Sequence, residues 1–404
     1  MTFDALVIGG GPAGAAASLR LAKAGWQVGV IEREEFPRRK VCGEFLSATN
    51  WGLFGKLEIS EAVTAFAGPE ISRVALYGRE ASPVTAPLPA LRETHVGYGR
   101  ALTRDVLDTL LLEAAAGCGA SIFQPMLCTD VQRRNGLWTC SVAEPNEQRE
   151  LTLESRVVIA ANGSWTPAKA PIPQKAAAAR PSDLFGFKAH FTGADLPADL
   201  MPLLAFPGGY GGMVTCQDGL VSLSCCIRRD TLGSLRERKL TSAGEEVLDY
   251  IFRHVPMVRK VLSGADRQGK WLSAGPIRPG IRQPYSEGLF SVGNAAGEAH
   301  PVVAEGISMA LQSGWLAAES LLAARQESPL RSTAEVESAG RQYARLWRRS
   351  FATRIRASTA IAAWAMRPRF LQLSQPLIHR WPRLLTTGAR WAGKSQVVTF
   401  GEHA

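Results

Sequence analysis

The 404-residue chain is 46% hydrophobic and 20% charged, with a formal net charge of +10. This balance excludes a disordered or fibrous chain and predicts a large core, in two domains or one elaborated one. Seven cysteines without a C-x-x-C pair argue for a reducing, cytoplasmic setting, and no apolar run approaches the roughly 20 residues of a membrane span.

In chain order, "DALVIGG" (residues 4–10) is an apolar run ending in glycine, as a buried parallel strand should be. Its Asp4 and the lack of a basic stretch make it a first strand and not a secretory leader. "PAGAAASLRLAK" (Pro12–Lys23) follows as an Ala-rich helix, Gly25 ends it, and "WQVGVIE" is a second strand closing with Glu32. A G-x-G-x-x-G match at Gly9, Gly11 and Gly14 is weak by itself among 39 glycines. Inside a β-α-β unit with an acidic residue about 20 positions on, it is strong. Gly9 permits the tight turn, Gly11 lets backbone N–H groups approach a pyrophosphate, and Gly14 lets helix and strand lie close. Pro12 and Ala13 open the helix whose positive end faces the phosphates, and Glu32 accepts from ribose hydroxyls. The unit predicts an ADP-bearing cofactor without distinguishing NAD from FAD.

Further on, Thr103 reads as the N-cap of a helix with Val106, Leu107, Leu110, Leu111 and Ala114 on one face. Asn135-Gly136 predicts a hairpin turn, and "RVVIAANGSW" a buried strand ending in Gly163. "WTPAKAPIPQKAAAARP" (165–181) reads as a loop or domain crossing. Strands with one helix near Glu245 to His254 fill 184–272, after which residues 288–324 repeat the strand–glycine–helix grammar. From Arg341 to Phe400 there are twelve Lys and Arg, no acidic residue, and Trp347, Trp364, Trp381 and Trp391. This segment reads first as a solvated face and second as a contact with a membrane surface or a greasy, anionic substrate. No recognition motif accompanies the charge, so nucleic acid is not expected.

Four elements in this order resemble the FAD-dependent monooxygenase and geranylgeranyl reductase superfamily, aromatic-hydroxylase-like flavoproteins, over roughly Phe3 to Leu322. They are Gly9–Gly14 with Glu32 and Arg33; "FPRRKVCGEFLS" with Arg39, Cys42, Gly43 and Glu44; "TRDVLD" with Arg104; and "FSVGNAAGEAHPVVAEGISMAL". The resemblance implies an α/β fold: a Rossmann-like FAD-binding domain with a three-layer core (1–75, 100–170 and 273–330) interleaved with a mixed-sheet substrate domain (76–99 and 171–272). A basic, helical C-terminal segment (331–404) completes it. It implies that Arg104 contacts FAD, that Gly293 and Asn294 hold the ribityl and pyrophosphate region, and that Pro301 to Ile307 lies against the flavin ring. There the backbone around Glu305, Gly306, Ile307 and Ser308, at a helix N-terminus, would stabilise the negative charge of reduced flavin. Asn294 and Asn162 stand where the family usually or often has Asp, which bears on cofactor affinity.

Cys42 is a candidate for catalysis, as the cysteine that faces the flavin in the prenyl-reductase branch, or for the core; Glu44 replaces a glycine of that branch and pulls toward the hydroxylases. His300, just before Pro301, suits a general acid or base, or a loop anchor. Tyr210 resembles the aromatic at this position in family members and is read as a cavity residue or as ordinary core packing. The histidines and cysteines show no metal-ligand spacing, so no metal is expected. The resulting expectation is an NAD(P)H-dependent FAD monooxygenase acting with O₂ on an apolar aromatic or polyketide-type small molecule. A flavin-dependent C=C reductase and a non-enzymatic binding protein on the same fold stand as alternatives. Halogenation is disfavoured because no W-x-W-x-I-P-like segment occurs.

Overall fold

The computed structural model describes residues 1–79, 82–91, 95–145, 150–164, 178–236, 242–324, 332–395 and 397–398. In the first of its two large sheets, Thr2–Ile8 lies between Val28–Ile31 and Glu150–Ala160, all parallel. Ser121–Phe123 continues the sheet beyond one neighbour and Leu289–Ser291 beyond the other, again parallel. Val28–Ile31 is wholly buried, as are the last four residues of Thr2–Ile8, so these strands read as continuous apolar runs and not as alternations. Successive connections leave to opposite sides between Thr2–Ile8 and Glu150–Ala160, which opens a crevice at their carboxyl ends. The hairpin Leu127–Arg134 and Leu137–Ala143 turns at Asn135 (φ 50°) and Gly136 (φ 80°), both in the left-handed region that a two-residue turn requires.

The helix Pro12–Lys23 starts directly after the first strand, with Pro12 in its first turn and a buried face of Ala and Leu. Against it lies a second long helix, Gly306–Ala323. The two approach to backbone contact: a Cβ on Gly314 would stand 2.0 Å from the Ala13 carbonyl oxygen.

The second sheet holds, in spatial order, Asp266–Ile277, Leu184–Thr192, Val221–Arg228, Gly209–Thr215, Leu200–Phe206, Arg73–Tyr77 and Val84–Pro87. The expected boundaries at 75/76 and 272/273 cut through two of these strands. Arg73–Tyr77 pairs as one unit with Leu200–Leu204, and Asp266–Ile277 pairs with Leu184–Thr192 along its length. The expected crossing at 165–181 lies mostly outside the described residues. The expected helix is present as Ala243–His254, beside this sheet and capped by Ser242.

The segment 331–404 is not an appendage. Its helix Thr333–Ala365, opened by a Ser332–Glu335 capping box, buries Tyr343, Trp347, Phe351 and Ile355 in the core that also holds the first strand and helix. Trp347 is 1% exposed, which removes it from any surface reading. Thr103 precedes the helix Arg104–Gly117 but does not cap it: its hydroxyl accepts from Gln217 (2.7 Å). The backbone N–H of Arg104 donates instead to Glu44 Oε1 (3.0 Å).

Candidate active site

Between the two sheets lies a cavity of about 630 Å³. At one end is the first glycine turn. Gly9 holds φ at +109°, and a Cβ there would stand 2.5 Å from the Ala161 carbonyl oxygen, so only glycine closes the turn against the neighbouring strand. At Gly11 a Cβ would meet only the guanidinium tips of Arg38 and Arg104, 3.7 and 3.9 Å away. Two cations converging on a bare backbone turn at a helix N-terminus suit a pyrophosphate.

The charges behind this turn form one network. Asp108, fully buried, accepts from Arg104 Nε and Nη2 (both 2.7 Å) and from Arg38 Nη1 (3.0 Å). Burial opposes the Arg104 charge, but Asp108 and Cys42 outweigh it and raise the pKa. The buried Nε of Arg38 has no partner among the described residues. Glu32 Oε2 accepts from Gly10 N (2.8 Å) and Oε1 from Glu34 N (2.9 Å), which leaves acceptor capacity on both oxygens for hydroxyl donors. Arg33 is exposed at the cavity edge and pairs with Glu34. The expectation for Arg39 is corrected: its guanidinium lies 3.1 Å from His190 Nδ1, outside the cavity lining, and Arg38 occupies the wall.

Gly43 and Cys42 line the cavity's middle, with Cys42 Sγ accepting from Glu44 N (3.4 Å). Glu44 is 1% exposed and takes a left-handed backbone (φ 59°). Its carboxylate binds Lys188 Nζ, His190 Nε2 (2.7 Å) and Arg104 N. Burial works to raise its pKa, but the bond from His190 and the Lys188 charge prevail and lower it to about 2. A carboxylate so firmly ionised is no proton donor. Glu44 is an anchor that ties the second sheet to the Arg104 helix.

The far end is apolar. Met201, Leu203, Tyr210, Met213, Val214, Cys226 and Val302 line it. Tyr210 is 1% exposed with its hydroxyl 3.2 Å from His300 Nδ1, and the His300 backbone N–H donates to Ser358 Oγ (2.9 Å). Burial lowers the His300 pKa to about 4 and holds that of Tyr210 well above its usual value, so both rings are neutral at pH 7. Gly293, Asn294, Pro301, Gly306 and Ile307 line the wall beside them. Gly306 has open space where a Cβ would project. Glu305, the residue before the helix, has its side chain wholly buried behind this wall and outside the lining. It bonds Lys394 Nζ (3.1 Å) and Ser47 Oγ (3.3 Å), while Ser308 Oγ turns to Ser47 and Asn50. Asn294 donates through Nδ2 to Ser164 Oγ (2.8 Å) and Glu298 Oε1 (3.1 Å), leaving Oδ1 as an acceptor.

Sequence reasoning missed Lys188, His190 and Glu298, and did not place Arg38 at the first glycine turn. Glu298 lines the cavity, and burial raises its pKa against the opposing pull of Arg282. Its signal was one acid inside "NAAGEAHP". Lys188 and His190 share one face of an otherwise apolar strand, at i and i+2.

A glycine turn, two converging guanidiniums and a second glycine-rich wall on one cavity fit an elongated dinucleotide cofactor with a ring at the apolar end. A sequence family described as FAD binding domain matches residues 2–335. The chain belongs to it. This FAD-binding protein is an FAD-dependent oxidoreductase, of a class whose general electron donor is NAD(P)H. It is 25% identical over 341 residues to digeranylgeranylglycerophospholipid reductase 2 of Methanopyrus kandleri, covering 81% of this chain and 78% of that one. The flavin-dependent brominase Bmp2 superposes with a TM-score of 0.75 at 20% identity, over 98% of this chain and 94% of the other. PqsL of P. aeruginosa, solved with 2-aminobenzoylacetate, gives 0.69 at 18% identity, over 98% and 99%. At these identities the two structures share the fold. One curated relative is longer, and the chain spans 65% of its length.

Proposed function

We propose that this FAD-binding protein is an NAD(P)H-dependent monooxygenase working in the cytoplasm on an apolar aromatic or polyketide-type substrate. The reaction takes substrate, O₂, NAD(P)H and a proton to hydroxylated substrate, water and NAD(P)⁺. FAD, when bound, carries the electrons to O₂. The observation that carries this reading is the far end of the cavity, where an apolar wall meets a neutral Tyr210–His300 pair that can orient a phenolic substrate. With Tyr210 donating to Nδ1, His300 keeps its proton on Nε2 and offers a donor to a substrate oxygen. Cys42, Gly43, Arg104, Gly293 and Asn294 hold the cofactor, and the Gly306–Ile307 backbone faces its ring. Seven cysteines without a C-x-x-C pair support a reducing compartment.

The second reading, C=C reduction, is favoured by Cys42 on the cavity wall and by the archaeal reductase relative. Turnover of phenolic and prenylated probes under ¹⁸O₂ and under argon separates the two. Label in the product supports oxygen insertion; product formed anaerobically from reduced FAD overturns it in favour of reduction.

A further inference from the structure

The helices Pro368–Arg380 and Arg383–Ala389 pack on the strands Arg73–Tyr77 and Val84–Pro87 of the second sheet. Their inner face is packed: Ile378 joins Leu76, Val84 and Ala205, while Leu385 joins a cluster with the cavity-lining Met201, Leu203 and Val214. Their outer face is not. Phe370 (51% exposed), Leu373 (80%), Leu377 (48%), Trp381 (55%) and Leu384 (41%) project outward, with Trp391 (70%) beyond them. Phe370, Leu373 and Leu377 stand three and four residues apart, so they form one stripe. Large apolar side chains gathered on one surface mark an interaction site. Arg367, Arg369, Arg380, Arg383 and Arg390 are exposed around them, and no acidic residue occurs from Arg341 to Phe400.

We propose that this outer face docks on an anionic lipid bilayer. The helices would lie in the interface plane, with the Leu and Trp side chains among the acyl boundary and the guanidiniums at the headgroups. The charge decides among partners. A second copy would bring the same cationic rim into repulsion, and a nucleic acid would leave the apolar stripe unburied. A bilayer carrying negative headgroups over a hydrocarbon layer satisfies both halves of the surface. The contact is not a span, since among the described residues no helix is long and apolar enough to cross a membrane. Docking would bring the Leu385 cluster, which includes the cavity-lining Met201, Leu203 and Val214, close to the lipid layer.

The test is co-sedimentation of the FAD-loaded full chain with phosphatidylcholine vesicles, alone or with about one third phosphatidylglycerol. Binding is expected with the anionic vesicles, about tenfold weaker with neutral ones, and reduced by salt. The variants L373S/L377S and R380Q/R383Q are each expected to lose roughly tenfold in binding. All four side chains are exposed, so flavin content and melting temperature should stay unchanged in both variants. Absence of binding to anionic vesicles, equal binding by the variants, or a dimer in light scattering that L373S/L377S dissolves would each overturn the proposal.

Discussion

Single methyl groups separate the two ends of the cavity. At Gly14 a Cβ would stand 1.9 Å from the Gly9 carbonyl oxygen, so Gly14→Ala should destabilise the fold by about 1–3 kcal/mol and empty it of flavin. A melting curve and the visible absorbance of the purified protein check both effects. Gly306→Ala makes the opposite expectation. Its Cβ meets nothing within 4 Å, so stability should hold or rise while flavin titration reports weaker binding, because the methyl enters the cavity. Two acid-sensitive groups add a pH signature. Burial depresses the His300 pKa from 6.5 to about 4, so its contribution to stability is full above pH 6.5 and fades as pH falls toward 4. The Glu44 carboxyl, lowered from 4.5 to about 2, contributes above pH 4.5 and fades toward pH 2. Chemical denaturation at stepped pH should therefore show two losses, with His300→Gln flattening only the upper one.

Glu44 acts through the elements it joins. It receives the first N–H of the helix Arg104–Gly117 and neutralises Lys188, which is 0% exposed in the second sheet. Glu44→Gln leaves that ammonium buried without its counter-charge and should cost about 3–5 kcal/mol, read as a fall in denaturation midpoint. The companion change Lys188→Met in the same background should recover part of the loss, because the uncompensated charge is gone. This clamp was invisible in the sequence. Its partners are 144 and 146 residues away, and nothing local tells a strand lysine from one that solvates itself at an edge. The i,i+4 pair Arg104–Asp108 was legible as "TRDVLD", and the glycine turns were legible because their demand is made within six residues. Arg38 against Arg39 shows the limit. Adjacent arginines present opposite sides of the chain, and Asp108, with Phe36 packed under Arg38, goes with Arg38 as the one on the cavity wall.

The whole molecule reads as two sheets around a cofactor cleft, sealed by a C-terminal segment that composition had set apart as a basic tail. The β-α-β start and the late glycine-rich wall predicted the first sheet, since each carries its own periodicity. The place of Thr333–Ala365 was not predictable, because its charge masks a buried stripe of Tyr343, Trp347 and Phe351. Removing 333–395 should abolish soluble protein and not merely trim a surface, which expression with and without the segment tests.

Synthesis meets a related constraint at the pairing of Glu305 with Lys394. The carboxylate that sits behind the Gly306–Ile307 wall must wait 89 residues for its cation. Until the ribosome supplies Lys394, Glu305 has only Ser47 and the more distant Arg354 charge to set against its own. Completion of that ion pair thus belongs among the last events of maturation, after most of the polypeptide has been made.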